Sequence, residues 1–183
     1  MTLMRYWLIC AVVLIGAILL LGSLGVSDSP PDAVTRWWEL IEPAADQYKV
    51  DPVLIAAIMM QESGGNPNAQ SRAGANGLMQ VLGGPFDPQP NVALGVHILA
   101  GHLQTFKDLR PALAAYNAGP GLLDEEVSRN PAYRYAGVRG AARRANAPIA
   151  RYDAYAGFLP AETQRYVPAV LAYYERFKRY LPR

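Results

Sequence analysis

The stretch LIAAIMMQESGGNPNAQS, residues 54–71, places an ionisable group where a helix supports it least. Asp51 followed by Pro52 reads as a helix start, with an N-cap carboxylate and a proline in the first turn. Leu54, Ile55, Ile58 and Met59 then set out an apolar face, and Gly64-Gly65 ends the helix. Glu62 follows Ile58 by four residues and Ile55 by seven, so it projects from that apolar face. It also falls in the last turn, where the helix dipole presents partial negative charge. Burial and the dipole both disfavour the carboxylate and raise its pKa, which is what a general acid working near neutrality requires. The plainer alternative is a solvated helix end, and one residue does not exclude it. Helix ends favour Lys or Arg, however, and a local misfit of this kind tends to mark a functional site.

The surrounding chain predicts a mainly α fold. Strand-type alternation of β-branched residues is almost absent, and apolar spacing near 3.6 recurs. Residues 33–48 form a first helix on Val34, Trp37, Trp38 and Ile41. Residues 66–77 read as a loop and GLMQ (77–80) as a short turn. Asn91 is expected to cap a further helix carrying Leu94, Ile98, Leu99, His102, Leu103 and Phe106. A shorter helix covers 111–117 and stops at NAGPG. Residues 161–180 make the last one, with Pro168 either kinking it or capping its first turn. Residues 122–159 give mixed signals, six arginines among them, and no repeat is visible.

Ahead of this domain, Tyr6 to Val26 is an uncharged run of 21 residues. About 20 apolar residues span a bilayer as a helix. Arg5 before the run and Asp28 and Asp32 after it place the N-terminus in the cytoplasm and the rest outside. A cleaved signal peptide is the rival, with Ser23 and Gly25 as a weak cleavage site, but the run is longer than an ordinary signal core. The expected organisation is therefore an anchor at 1–26, a stiff linker SDSPPD at 27–32, and one domain at 33–183. Cys10, the only cysteine, lies in the apolar run, so no intramolecular disulfide supports the domain.

Net charge is +2, unevenly distributed. Residues 6–125 carry 5 basic and 11 acidic side chains, a net −6, and residues 126–183 carry 11 and 4, a net +7. A basic C-terminal part fits an anionic contact or simply a solvated face. No nucleic-acid motif accompanies it, so no nucleic-acid partner is expected. His97 and His102, five apart on a helix, do not have a zinc spacing, and neither metal nor cofactor is expected.

Four blocks, in order, tip the balance at Glu62: QESGGNPNA (61–69), GLMQV (77–81), AYNAGPG (115–121) and ETQRYVPAVLAYYERF (162–177), with DPQPNVALGVHIL (87–99) between the second and third. Together they resemble the soluble-type lytic transglycosylase catalytic domain, related in fold to goose-type lysozyme, over roughly residues 44–177. The resemblance implies a compact lysozyme-like helical domain acting on peptidoglycan glycan strands. It implies Glu62 as the catalytic acid/base and Ser63 as an orienting residue. Met79 and Gln80 would line the sugar groove, Tyr116 and Asn117 would face it, and Glu162 and Tyr166 would support it from the last helix. Two departures stand out. The link from Gln80 to Asp87 is shorter than the family's, and the span from Gly121 to Glu162 is longer, holding Arg129, Arg134, Arg139, Arg143, Arg144 and Arg151.

Most glycosidases use two carboxylates, whereas the family resembled here uses one. Glu62 would protonate the glycosidic oxygen between N-acetylmuramic acid and N-acetylglucosamine. It would then take a proton from the muramic C6 hydroxyl, leaving a 1,6-anhydro end. A hydrolytic muramidase needs a second carboxylate, and Asp87 and Glu162 are the candidates. A non-catalytic wall-binding or scaffold protein is the third reading, disfavoured by an intact Glu62. An anchored lytic domain suits cell-wall remodelling, passage of a secretion or conjugation machine, or virion entry. Its site of action is then the periplasmic side of a membrane, or a virion membrane.

Overall fold

The run that begins at Pro52 becomes a helix buried on every side. The computed structural model describes residues 32–119, 121 and 137–182. In chain order these form α1 (Asp32–Thr35), α2 (Trp38–Tyr48), α3 (Pro52–Ser63), the strands β1 (Ala75–Asn76) and β2 (Val81–Leu82), α4 (Pro88–Phe106) and α5 (Leu109–Ala118). They continue with α6 (Gly137–Arg144), α7 (Tyr152–Tyr155), a 3-10 turn (Ala156–Phe158) and α8 (Ala161–Phe177). The architecture is mainly helical, as the sequence predicts. The apolar run at 6–26, nearly all of the linker, and residues 122–136 of the arginine-rich stretch lie outside the described residues. Among the described residues, no helix is long and apolar enough to cross a membrane.

Every residue from Val53 to Met59 is buried, so α3 is the axis of the core rather than an amphipathic helix with one apolar face. α8 packs along it, with α1 and α2 on its other sides; α4 and α5 pair with each other, and α5 also meets α8. The start of α3 follows from Asp51. One carboxylate oxygen accepts from the Val53 amide at 2.8 Å, the other from the Tyr174 hydroxyl at 2.6 Å. The first bond caps α3 and the second ties that cap to α8. Gly64, with φ of 61°, ends the helix in the left-handed conformation.

α4 repeats the Asp-Pro start. Asp87 accepts from the Gln89 amide and Pro88 opens the first turn, so Asn91 is not the cap the sequence suggests. Asn91 lies one turn inside, fully buried, and clamps the loop ahead of it. Its Nδ2 donates to the carbonyls of Asn76 (2.9 Å) and Pro85 (2.8 Å), and its Oδ1 accepts from the Met79 amide (2.8 Å). All three of its polar positions are used, which makes the burial tolerable. Gly77 has φ of 75°, and a Cβ there would meet the Asn91 side chain at 2.5 Å. Only glycine lets this turn settle on its clamp. The strands pair antiparallel, Ala75 opposite Leu82 and Asn76 opposite Val81.

α5 begins two residues earlier than 111, because Asp108 accepts from the Arg110 amide at 2.9 Å and caps it. α8 starts at Ala161 and runs through Pro168, which neither caps nor ends it. Pro168 is exposed, so the carbonyl it leaves unpaired one turn back faces the solvent side of the helix. From the mixed stretch at 122–159, the described part yields α6, α7 and the 3-10 turn, which pack on one another and on α5.

Gly95 sets how closely α4 approaches the loop and α5. A Cβ there would lie 2.5 Å from Met79 Cβ and 3.0 Å from the Tyr116 hydroxyl, whereas one at Gly101, on the same helix, meets nothing. Gly95→Ala is therefore expected to destabilise by about 1–3 kcal/mol despite alanine's higher helix propensity. Gly101→Ala is expected to stabilise by roughly 0.5–1 kcal/mol. Urea unfolding of both variants checks the opposite signs.

Candidate active site

α3 ends in the floor of a cleft of about 840 Å³. Glu62, Gln80, Tyr116, Asn117, Glu162 and Tyr166 all line it, so the fold brings six of the eight expected site residues together from four separate segments. Glu62 Oε1 accepts a 2.6 Å hydrogen bond from the Tyr166 hydroxyl, which joins the end of α3 to the first turns of α8. Burial raises the Glu62 pKa most strongly. The Tyr166 hydrogen bond opposes this, the nearby Glu162 charge adds to it, and the carboxyl arrives at about 7. Desolvation wins because one phenol donor replaces only part of the water that a carboxylate loses.

The two tyrosines stay protonated. Burial pushes both phenols well above their usual range, and the Glu62 charge adds to the effect in each. Tyr116 donates to the Met79 carbonyl at 2.8 Å. The Asn117 side-chain oxygen accepts from Thr163 Oγ1 at 2.7 Å, which fixes the direction in which its amide points. Gln80 has φ of 48°, and its amide nitrogen donates to the carbonyls of Ala69 and Gly77, both at 3.0 Å. Its side-chain oxygen makes no hydrogen bond with a described residue, so the acceptor end is the one presented to a ligand.

Met79 and Ser63 do not line the cleft. Met79 is fully buried, with its side chain against Gly95, and only its carbonyl reaches the site, through Tyr116. Ser63 Oγ donates to the Leu78 carbonyl (2.8 Å) and accepts from the Gly65 amide (3.1 Å), fastening the end of α3 to the 77–80 turn. Its place is beneath Glu62 rather than against a substrate. Of the two candidate second carboxylates, Asp87 caps α4 outside the cleft and Glu162 lies within it.

Sequence reasoning missed Thr163, Arg165 and His102. Thr163 is 1% exposed and serves Asn117; its signal was a polar residue three positions before Tyr166, hence on the inward side of α8. His102 lines the cleft, tilted against Phe106, and burial followed by the Arg139 charge lowers its pKa. From the arginine-rich stretch, Arg139 and Arg143 border a separate hollow of about 580 Å³. Among the described residues, no cluster of His, Cys, Asp and Glu is placed to hold a metal ion.

A mainly helical, lysozyme-like domain with a buried carboxyl of raised pKa in its cleft defines the class. The transglycosylase SLT domain matches residues 39–84 and 83–136, and the chain belongs to that family. The two matched segments meet at Gly83-Gly84, inside the short link between Gln80 and Asp87. A transglycosylase of Enterobacteria phage PRD1 is 38% identical over 93 residues, covering 46% of this chain and 35% of the phage protein. A membrane-bound lytic murein transglycosylase F of Desulfosudis oleivorans is 38% identical over 102 residues, covering 47% of this chain and 22% of its own length. The chain thus spans about a third or less of these relatives. Among solved structures, the 70 kDa soluble lytic transglycosylase of Escherichia coli aligns over 78% of this chain and 24% of its own, at 28% identity and a TM-score of 0.56. An inactive mutant of lytic transglycosylase Slt from Pseudomonas aeruginosa aligns over 77% of this chain and 24% of its own, at 25% identity and a TM-score of 0.58.

The neighbours of Glu62 act on it with opposite signs. Tyr166→Phe removes the bond that lowers the Glu62 pKa and is expected to raise it; Glu162→Gln removes a like charge and is expected to lower it. Carboxyl-carbon NMR titration of the two variants reads both shifts.

The raised pKa also couples folding to pH. Between 4.5 and about 7 the native state holds a proton on Glu62 that the unfolded chain has released, so stability falls as pH rises through that window. The integrated loss is about 3 kcal/mol. Glu62→Gln has no such charge to bury. It is expected to exceed the parent in stability at about pH 8 by up to roughly that amount, the gap closing towards pH 4, as followed by denaturant unfolding.

Proposed function

We propose that this chain is a peptidoglycan lytic transglycosylase that cleaves the β-1,4 bond between N-acetylmuramic acid and N-acetylglucosamine through Glu62 alone. The observation that carries the reading is the Glu62 carboxyl itself. It lies in the cleft, bonded to Tyr166, with a pKa of about 7, so near neutrality it is available in both the protonated and the ionised form. Protonated Glu62 donates to the glycosidic oxygen as the C1–O bond breaks. The resulting carboxylate accepts the proton of the muramic C6 hydroxyl as that oxygen closes on C1. The proton is returned, no water is consumed, and the product ends in a 1,6-anhydro sugar.

In this reading Tyr166 and Glu162 set the acidity of Glu62 from opposite directions. Gln80 accepts from a sugar hydroxyl or N-acetyl N–H through its side-chain oxygen, and Asn117, oriented by Thr163, bonds the strand from the facing side. Tyr116 and neighbouring backbone dipoles stabilise the developing oxocarbenium charge. Met79 and Ser63 contribute by holding the turn that carries Gln80.

The reading extends to place. The uncharged run Tyr6 to Val26, flanked by Arg5 and Asp28, anchors the chain with its catalytic domain on the extracytoplasmic side of a membrane, or on a virion membrane. One of the relatives above is described as membrane-bound and the other comes from a phage, which supports an envelope or virion setting. Secretion or conjugation machinery, or a virion entry apparatus, would supply the partners.

A hydrolytic muramidase is the second reading, because Glu162 lines the same cleft and supplies a second carboxylate. Mass spectrometry of digested peptidoglycan separates the two. Anhydro-ended fragments, lighter by one water than reducing-end fragments, are expected; reducing ends alone would establish hydrolysis. Glu62→Gln is expected to release fragments about 10²-fold or more slowly, the scale of a lost general acid, and undiminished release would sink the assignment.

A further inference from the structure

The chemistry described so far uses acids, phenols and amides, and leaves one cation of the cleft unexplained. Arg165 lines the cleft. Its place follows from helix geometry: residues 162 and 165 are three apart and both exposed, so Arg165 stands beside Glu162 on the flank of α8 that borders the cleft. Thr163, Tyr166, Val167 and Val170 turn into the core. Arg110 is engaged with Asp153, Arg139 with the Gly121 carbonyl and Arg144 with that of Phe158, whereas the side chains of Arg72, Arg151 and Arg179, like that of Arg165, bond no described residue but do not line the cleft. The Arg165 side chain makes no hydrogen bond or ion pair with any described residue, Glu162 included. Its guanidinium stays charged at any working pH and offers a planar donor fork that fits a carboxylate. It is exposed and lines the same cleft as Glu62, next in sequence to Tyr166, the donor to Glu62.

A neutral polysaccharide presents hydroxyls and amides, which need no cation. We propose that Arg165 is a specificity-determining residue that engages a carboxylate carried on the glycan strand beside the bond that Glu62 cleaves. The proposal rests on the transglycosylase reading above. On a peptidoglycan strand such a carboxylate has two sources: the lactyl ether of N-acetylmuramic acid when it is free, or the peptide attached to that ether. Arg165 acts in binding and takes no part in proton transfer.

The test uses the full chain in detergent and three soluble strands: peptide-bearing, peptide-stripped with free lactyl carboxylates, and stripped with those carboxylates converted to amides. Formation of anhydro ends gives kcat and KM for the parent, Arg165→Gln and Arg165→Lys. Arg165→Gln is expected to raise KM about tenfold on a carboxylate-bearing strand with little change in kcat, the scale of one charge-assisted hydrogen bond. Arg165→Lys recovers part of the loss, and on amidated strands Arg165→Gln and the parent no longer differ. A loss confined to peptide-bearing strands assigns the peptide carboxylates; a loss on stripped strands assigns the lactyl group. An unchanged KM on both carboxylate-bearing strands, or an equal rise on the amidated ones, overturns the proposal. If the parent cleaves no strand, the transglycosylase reading fails separately. Arg165 is then judged by equilibrium binding of the same strands, where the same dependence on carboxylates is expected and its absence rejects the role.

Discussion

The hydrogen bond from Tyr166 to Glu62 joins residues 104 positions apart, and the site is organised around it. It has a counterpart at the other end of the same helix pair, where Tyr174 donates to Asp51 across 123 positions. α3 and α8 are therefore laced antiparallel by two phenol–carboxyl bonds. The two acids meet opposite surroundings. Asp51 caps the positive end of α3 and has a backbone donor as well, whereas Glu62 lies at the negative end. The same kind of contact fastens both ends of the core, but at the cleft end burial outweighs it and leaves an acid reluctant to ionise.

That reluctance links the fold to the chemistry. α3 is buried on every side from Val53 to Met59 and emerges at its end, where Glu62 in the last turn reaches the cleft. The surrounding parts act on position more than on charge. Gly95 lets α4 close on Met79 and Tyr116, Asn91 holds the turn bearing Gln80, and Thr163 orients Asn117. Each of these is a buried contact made by a residue that a substrate never meets.

Much of this was legible in the sequence. Asp51-Pro52 and Gly64 bounded α3 because capping is local chemistry. Glu62 stood out because its charge opposed both the apolar run and the dipole. Its burial does not come from a single apolar face: α3 is buried on every side from Val53 to Met59. Asn91 was misread as a cap because Asp87-Pro88 lay one turn earlier and competed for that role. Met79 was read as a groove residue, but the peptide plane rather than the side chain faces the site, and periodicity does not reveal which of the two a turn will present. Thr163 and Arg165 share a block with Tyr166; which face each takes depends on where α8 docks, and that is set by tertiary packing.

The short link between Gln80 and Asp87 has fixed ends. Asn76 holds the Gly84 carbonyl at 2.9 Å and Asn91 holds that of Pro85 at 2.8 Å, while Gly83, before them, has open space around it. Leu82 stands 73% exposed beside the cleft. The rim of the cleft is thereby separable from its floor. Added residues at Gly83 would extend outward from an anchored base, at a closure cost that grows only slowly with length, and Glu62 would keep its place. The shape of the rim can then be remodelled in this segment without touching Glu62 and its contacts. The architecture offers a graft point at Gly83.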